Sequence, residues 1–297
     1  MTIVMFLQHV ANGISLGVLY ALVAIGYTMV YGILRLINFA HGDIFMIGAY
    51  LAFYGITIFN FGWAASYLLA IVLTALMGVL IERTTYRPLR QAPRISALIS
   101  AIGVSFFLEN AGIVVFGGRP KSFFQPPIFT RTFNVGGVLM PSVTLAITAT
   151  SLVLLLALTY LVYGTKHGLA MRALAHDFET SRLMGINVDL VVSLTFAVGS
   201  ALAAAGGILW SLKFPQINPL MGIFPGLKAF IAAVLGGIGS IPGAMVGGFL
   251  LGLAEILLVA LLPSLSGYRD AFAFLLLVLV LLVRPTGIMG EKGSVKV

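Results

Sequence analysis

Residues 12–50 read NGISLGVLYALVAIGYTMVYGILRLINFAHGDIFMIGAY, and the fold turns on this stretch. Nothing charged stands between Asn12 and Leu34, a run long enough to cross a hydrocarbon core of about 30 Å as one helix. The segment INFAHGD then interrupts it, and a second apolar run follows at once. Neither run shows the period-two alternation that barrel strands require, so the reading is all-α.

Working outward, apolar runs broken by charge or turn residues recur at about 8–33, 40–60, 63–81, 95–116, 140–163, 188–211, 226–240, 242–262 and 269–284. The seventh is short and glycine-ended. It reads either as a short span or as a half-helix that enters and turns back, so the expectation is a single polytopic helical domain of eight to ten spans. Composition agrees: 60% of the 297 residues are hydrophobic and 9% charged, against the ~25% charged of a soluble domain. A water-soluble globule is excluded. Seventeen Lys and Arg against nine Asp and Glu give +8, but the basic residues sit between apolar runs. They therefore read as topology signals facing a bilayer rather than as a nucleic-acid surface. The chain has no cysteine, which removes disulfides, thiolate metal sites and cysteine nucleophiles. Its start, MTIVMFLQHV, lacks the basic region of a cleaved signal and runs straight into the first span.

Orientation follows from ERTTYRPLRQAPR (82–94), where Arg83, Arg87, Arg90 and Arg94 crowd one short loop of the kind that stays cytoplasmic. Counting spans from it puts Arg35, the loop 164–187 with Lys166, Arg172 and Arg182, and the tail with Arg284, Lys292 and Lys296 on that same side. The N-terminus then lies outside and the C-terminus in the cytoplasm. The loop 117–139, placed outside, opposes this with Arg119, Lys121 and Arg131.

Glycines stand at four-residue spacing in Gly13/Gly17, Gly239/Gly243/Gly247 and Gly248/Gly252, which on a helix makes a smooth stripe for close packing. The run GGIGSIPGAMVGG (236–248) is too glycine-rich, and too interrupted by Pro242, for one continuous helix. Non-helical backbone at membrane depth survives only inside protein or beside a water-filled path. Two segments therefore become candidates for a translocation path or gate: Asn38, His41, Gly42 and Asp43, and Gly236, Gly237, Gly239, Ser240 and Gly243. Helix capping is the simpler reading of the first, with Asn38 ending one helix and Asp43 opening the next. Glu109 and Glu255 lie inside apolar runs, where an ionised carboxylate costs several kcal/mol. Each must bond to neighbouring helices, line a cavity or carry protons, and no Lys or Arg faces either from its own span. His9 reads as interfacial.

The longest inner interruption, GTKHGLAMRALAHDFETSRLMGINVDL (164–190), carries Met171, Leu174 and Phe178 at helical spacing. Arg172 and His176 share another face, Asp177 and Glu179 precede Arg182, and Gly185 stops the helix. This is one or two amphipathic helices at the membrane surface, either plainly interfacial or suited to a groove on a soluble partner. No HExxH, GxSxG or P-loop is present, so neither a cofactor nor a catalytic role is expected, and ATP, if used, is hydrolysed by another chain.

Four stretches carry a family resemblance: residues 12–50, RALAHDFETSRLMGINVD (172–189), VLGGIGSIPGAMVGGFLLGLAE (234–255) and RPTGIMG (284–290). The sequence resembles the shorter permease subunit of bacterial ABC importers for branched-chain amino acids. FETS (178–181) departs from the proline-glutamate-alanine pattern usual after the aspartate. The resemblance implies a membrane fold similar to vitamin-importing ABC permeases, residence in the bacterial inner membrane, and a heterodimer with a longer, related permease. It also implies two cytoplasmic ATPase subunits and an external substrate-binding protein that supplies affinity. Carried onto this chain, 168–185 becomes the element seated in an ATPase cleft, with Met171, Arg172, Leu174, Asp177, Phe178, Arg182 and Gly185 as the coupling residues. The alternative is a proton- or ion-coupled secondary transporter, for which Glu109 and Glu255 are the sequence support.

Overall fold

The computed structural model describes residues 2–90 and 92–290. Each of the nine apolar runs becomes a helix: α1 (Ile3–Leu34), α2 (His41–Thr57), α3 (Trp63–Ile81), α4 (Arg94–Phe116), α5 (Ser142–Gly164), α8 (Val188–Lys213), α9 (Ile223–Gly236), α10 (Ile241–Leu261) and α11 (Arg269–Val283). The interruption between α5 and α8 folds as α6 (Lys166–His176) and α7 (Phe178–Leu183). Among the described residues seven helices are long and apolar enough to cross a membrane. The 17-residue α2 and the 14-residue α9 are shorter. The strands are confined to a hairpin of Thr132–Val135 with Val138–Pro141 and a two-residue pairing of Lys121–Ser122 with Gln216–Ile217.

The core is built around α1, which is apolar on every side and is enclosed by α5, α8, α9 and α10. Leu22, Ala24 and Ile25 are fully inaccessible, as befits a helix with no polar stripe. Its glycine stripe meets that of α10. A Cβ on Gly17 would lie 2.8 Å from the Phe249 carbonyl oxygen, and one on Gly252 would collide with the Gly17 backbone. The expected break after Gly236 is present: α9 ends there, Gly237 and Gly239 take φ of 110° and 98°, and Ser240 caps α10 by accepting from the Gly243 N–H at 3.1 Å. Gly239 thus belongs to the turn and not to the helical stripe.

The two ends of the bundle sort as the charge pattern expects. At one end Arg35 donates to the Ala175 carbonyl, and a groove gathers Arg35, Arg87, Arg90, Arg94 and Arg182. The segment 285–290 packs back at the same end, where the N–H groups of Ile288 and Met289 donate to the Leu235 and Gly236 carbonyls at 2.9 and 2.8 Å. Lys292 and Lys296 lie outside the described residues. At the other end Gln8 exchanges two 2.8 Å hydrogen bonds with the backbone of Leu139.

Candidate functional site

The chain between α1 and α2 does not stay at the bundle surface. Arg35 closes α1 in the left-handed region, with φ 53° and its N–H on the Tyr31 carbonyl. Residues 36–40 then run back along α1 until the His41 ring lies against Gly26, where a Cβ would sit 2.5 Å from the imidazole. Gly26 is about two and a half turns before Arg35, so α2 starts roughly 13 Å inside the end of α1. The glycine at 26 is what makes room for the ring. His41 is 1% exposed, lies 4.5 Å from the Tyr27 ring centroid, and its Nε2 has no hydrogen-bond partner among the described residues.

At the same depth the start of α9 abuts the start of α2 through glycines alone. A Cβ on Gly42 would come within 2.6 Å of the Gly222 oxygen, and one on Gly226 within 2.9 Å of the Gly42 Cα. Two helices therefore begin face to face in the interior, flanked by Tyr27, His41 and Asp43. The capping role expected of Asn38 needs correction, whereas Asp43 does stand in the first turn of α2. Arg35, not Asn38, ends α1, and Ala40 precedes α2 without any side-chain cap. Asn38 instead accepts a 3.0 Å hydrogen bond from the Tyr86 hydroxyl, and Asp43, in the first turn of α2, accepts one of 2.6 Å from Ser105 on α4. Both side chains tie the re-entrant segment to neighbouring helices.

The two path segments are not brought together. Gly236, Gly237, Gly239, Ser240 and Gly243 lie at the opposite end of α9, about 20 Å from its start. There Gly239 and Ser240 border a cavity of about 530 Å³ shared with Thr28, Arg35, Arg172 and Thr286.

The short helices α6 and α7 divide their residues between anchoring and display. Met171 and Leu174 are 4% and 2% exposed, packed into the chain's own core. Arg172 donates to the Val162 carbonyl and stacks 5.1 Å from the Tyr163 ring. Asp177 caps α7, accepting from the Thr180 N–H at 3.0 Å and its hydroxyl at 2.7 Å, so α7 starts at Phe178 despite the FETS departure. Phe178 is half-buried, and Gly185, with φ 84°, turns the chain away after α7. The displayed groups are Leu169, Leu183 and Met184, at 60%, 87% and 79% exposure, with Glu179 and Arg182 among them. The exposed apolar groups thus stand on the side of α6 turned away from Met171, at Leu169, and at the end of α7, at Leu183 and Met184.

Buried charge is concentrated in a group that single-span reading missed. Glu255 on α10 accepts from Lys228 on α9 at 2.7 Å, from Arg269 of α11 at 2.5 Å and from the Tyr20 hydroxyl of α1 at 2.9 Å. Lys228 also meets Asp270 at 2.6 Å. The sequence signal was a lone lysine in the seventh apolar run, opposite in sign to the lone glutamate of the eighth. A second network, at the arginine-lined end of the bundle, joins Arg90 to Glu82 and, at 2.6 Å, to Asp189, with Arg87 also on Asp189. Glu109 on α4 is half-buried and has neither an ion pair nor a hydrogen bond among the described residues. No cluster of metal-ligating side chains occurs among the described residues.

Nine apolar helices among the described residues, two of them starting in the interior, mark a multi-pass membrane protein. Residues 9–281 match the family described as the permease component of branched-chain amino acid transport systems, and the chain belongs to that family. It is 46% identical to the high-affinity branched-chain amino acid transport system permease protein LivH of Escherichia coli K12, over 98% of both chains. Its identity to the corresponding Pseudomonas aeruginosa protein, BraD, is 43%, again over 98% of each. A probable branched-chain amino acid permease of Methanocaldococcus jannaschii is 28% identical over 92% of this chain and 89% of its own. No solved structure matches the chain.

Proposed function

We propose that this chain is the membrane-spanning permease subunit of an ATP-driven importer for leucine, isoleucine and valine in the bacterial inner membrane. Relatives matching nearly its whole length are named for branched-chain amino acid transport, which supports that substrate class here. In this reading it pairs with a second, related permease. Two ATPase subunits lie on the cytoplasmic side, and a binding protein delivers substrate from outside. The N-terminus is external and the arginine-lined end cytoplasmic. The observation that carries the coupling role is the display of Leu169, Leu183 and Met184 beside Glu179 and Arg182 on a hairpin anchored from beneath by Met171, Leu174 and Arg172. A small apolar ridge with both charge signs at its rim suits a groove on a soluble partner. The re-entrant Asn38–Asp43 segment lies beside the passage, and the turn from Gly236 to Gly243 serves as an inner gate.

The test is purification of the tagged chain from membranes with identification of its partners, followed by ATP-dependent leucine uptake in proteoliposomes. Leu183→Ser with Met184→Ser lowers ATPase co-purification while leaving the yield of folded permease unchanged. Wild-type recovery of ATPase by that variant overturns the coupling assignment. The secondary-transporter reading drew on Glu109 and Glu255; Glu255 is paired with Lys228 and Arg269, which leaves Glu109 without a cation partner among the described residues. It predicts leucine uptake driven by an ion gradient in vesicles lacking ATP.

A further inference from the structure

α4 packs on its own chain along a narrow stripe, with Ala97, Ala101 and Gly112 buried. The rest of its surface is open: Phe106, Phe107, Val114 and Val115 are 61–83% exposed, and among them stand the half-buried Glu109 and the exposed Asn110. The Asn110 amide satisfies itself on the Phe106 carbonyl of its own helix at 2.7 Å, but Glu109 finds no donor among the described residues. The outward residues of α3 are Leu68, Val72, Leu76 and Leu80, apolar throughout. Lipid suits such a face. It does not suit a carboxylate in the body of a span, which costs several kcal/mol unless protein or water meets it.

Depth narrows what can meet it. Glu109 is about 22 Å along α4 from its inner end at Arg94 and about 10 Å from its outer end at Phe116. A soluble ATPase below does not reach that far. A polar band also continues inward from it, one turn to Ser105 and from there to Asp43 at the start of α2. Polarity thus crosses from the open face of α4 to the interior junction of α2 and α9.

We propose that α4 forms the seam along which this chain meets the second permease chain, with Glu109 and Asn110 facing a basic, amide or hydroxyl donor on an opposing membrane helix. The proposal rests on the reading of the chain as one of two permeases. It also places the opening of the passage where the polar band crosses the seam, between Glu109 and Asp43. A donor from across the boundary neutralises Glu109, as Lys228 neutralises Glu255 within the chain.

The absence of native cysteine makes the test direct. Single cysteines Phe107→Cys and Asn110→Cys, with Leu76→Cys as the lipid-facing comparison, are placed in the full complex in membranes. Each is labelled with a benzophenone maleimide, irradiated, and its adducts identified by mass. The expected result is attachment of positions 107 and 110 to the second permease, and none to protein from position 76. Adducts from 107 and 110 with lipid alone, or with a second copy of this chain, overturn the seam. So does attachment of the second permease at position 76. Glu109→Lys lowers the co-purified second permease by roughly tenfold or more through like-charge contact with a basic donor, or through loss of the acceptor, while Glu109→Gln retains it. Co-purification of a second permease with wild-type chain that cross-links elsewhere breaks the seam and leaves the importer reading intact. Its absence from the wild-type complex breaks both.

Discussion

Glu255 and Glu109 are both single carboxylates in apolar runs, and the bundle treats them in opposite ways. Glu255 is 4% exposed and is met by Lys228, Arg269 and Tyr20 from three other helices. Glu109 is half-buried on an open helix, has no ion pair or hydrogen bond among the described residues, and has the like-charged Asp43 as a neighbour. Burial of a charge is affordable only when it is paired and hydrogen-bonded, so the first site is finished inside one chain and the second is not. A completed site holds the fold together. An incomplete one points outward, to whatever completes it.

The comparison breaks most visibly at Lys228. Lys228→Met strips the buried partner from Glu255 and leaves the half-exposed Arg269 as its cation, with an expected loss of about 3–5 kcal/mol. Thermal unfolding in detergent and the folded fraction by size exclusion read it out. Adding Glu255→Leu to that variant recovers stability, because the stranded charge goes too. A folded yield equal to wild type in the single variant means that Lys228 does not hold Glu255.

A middle case is Arg90, which joins the fully buried Glu82 to Asp189 at the arginine-lined end of the bundle. Arg90→Leu leaves one Glu82 oxygen without its donor, while Ser193 still donates to the other at 2.7 Å. The expected cost is about 1–3 kcal/mol, smaller than at Lys228 because water reaches Asp189. The same melting assay ranks the two. The smallest change belongs to Glu109→Gln, which alters the stability of the isolated chain by no more than about 0.5 kcal/mol. A drop comparable to that of Lys228→Met would mean that Glu109 is compensated from within.

The helices themselves were legible because span length is a local property. Every apolar run became a helix, and the glycines with Pro242 marked the break between α9 and α10. The grouping of Arg35, Arg87, Arg90, Arg94 and Arg182 at one end of the bundle was legible for the same reason, since loop charge needs no tertiary information. What was hidden depends on neighbours distant in sequence. Glu255 looked alone because its cations come from other helices. Asn38 and Asp43 looked like caps because that role is local, whereas Tyr86 and Ser105, which bind them, are remote. Met171 and Leu174 share a helical face with any outward ridge the eye would draw, and only the packing of α6 against the bundle decides which side of that helix is covered. The meeting of α2 and α9 left no trace except glycine, at Gly26, Gly42, Gly222 and Gly226, in a chain that uses glycine 34 times.

The meeting of α1 and α10 constrains how the molecule moves. Gly17, Gly248 and Gly252 place the two backbones so near that no side chain could be interposed. Side chains that interdigitate can slip past one another by changing rotamer, but backbones in direct contact have no such freedom. The pair is therefore expected to move as one unit, which a disulfide engineered between the two helices tests: uptake retained after cross-linking agrees with it, and uptake lost does not. A substitution as small as Gly252→Ala sets a methyl group against the Gly17 backbone and is expected to act like a wedge between the two helices.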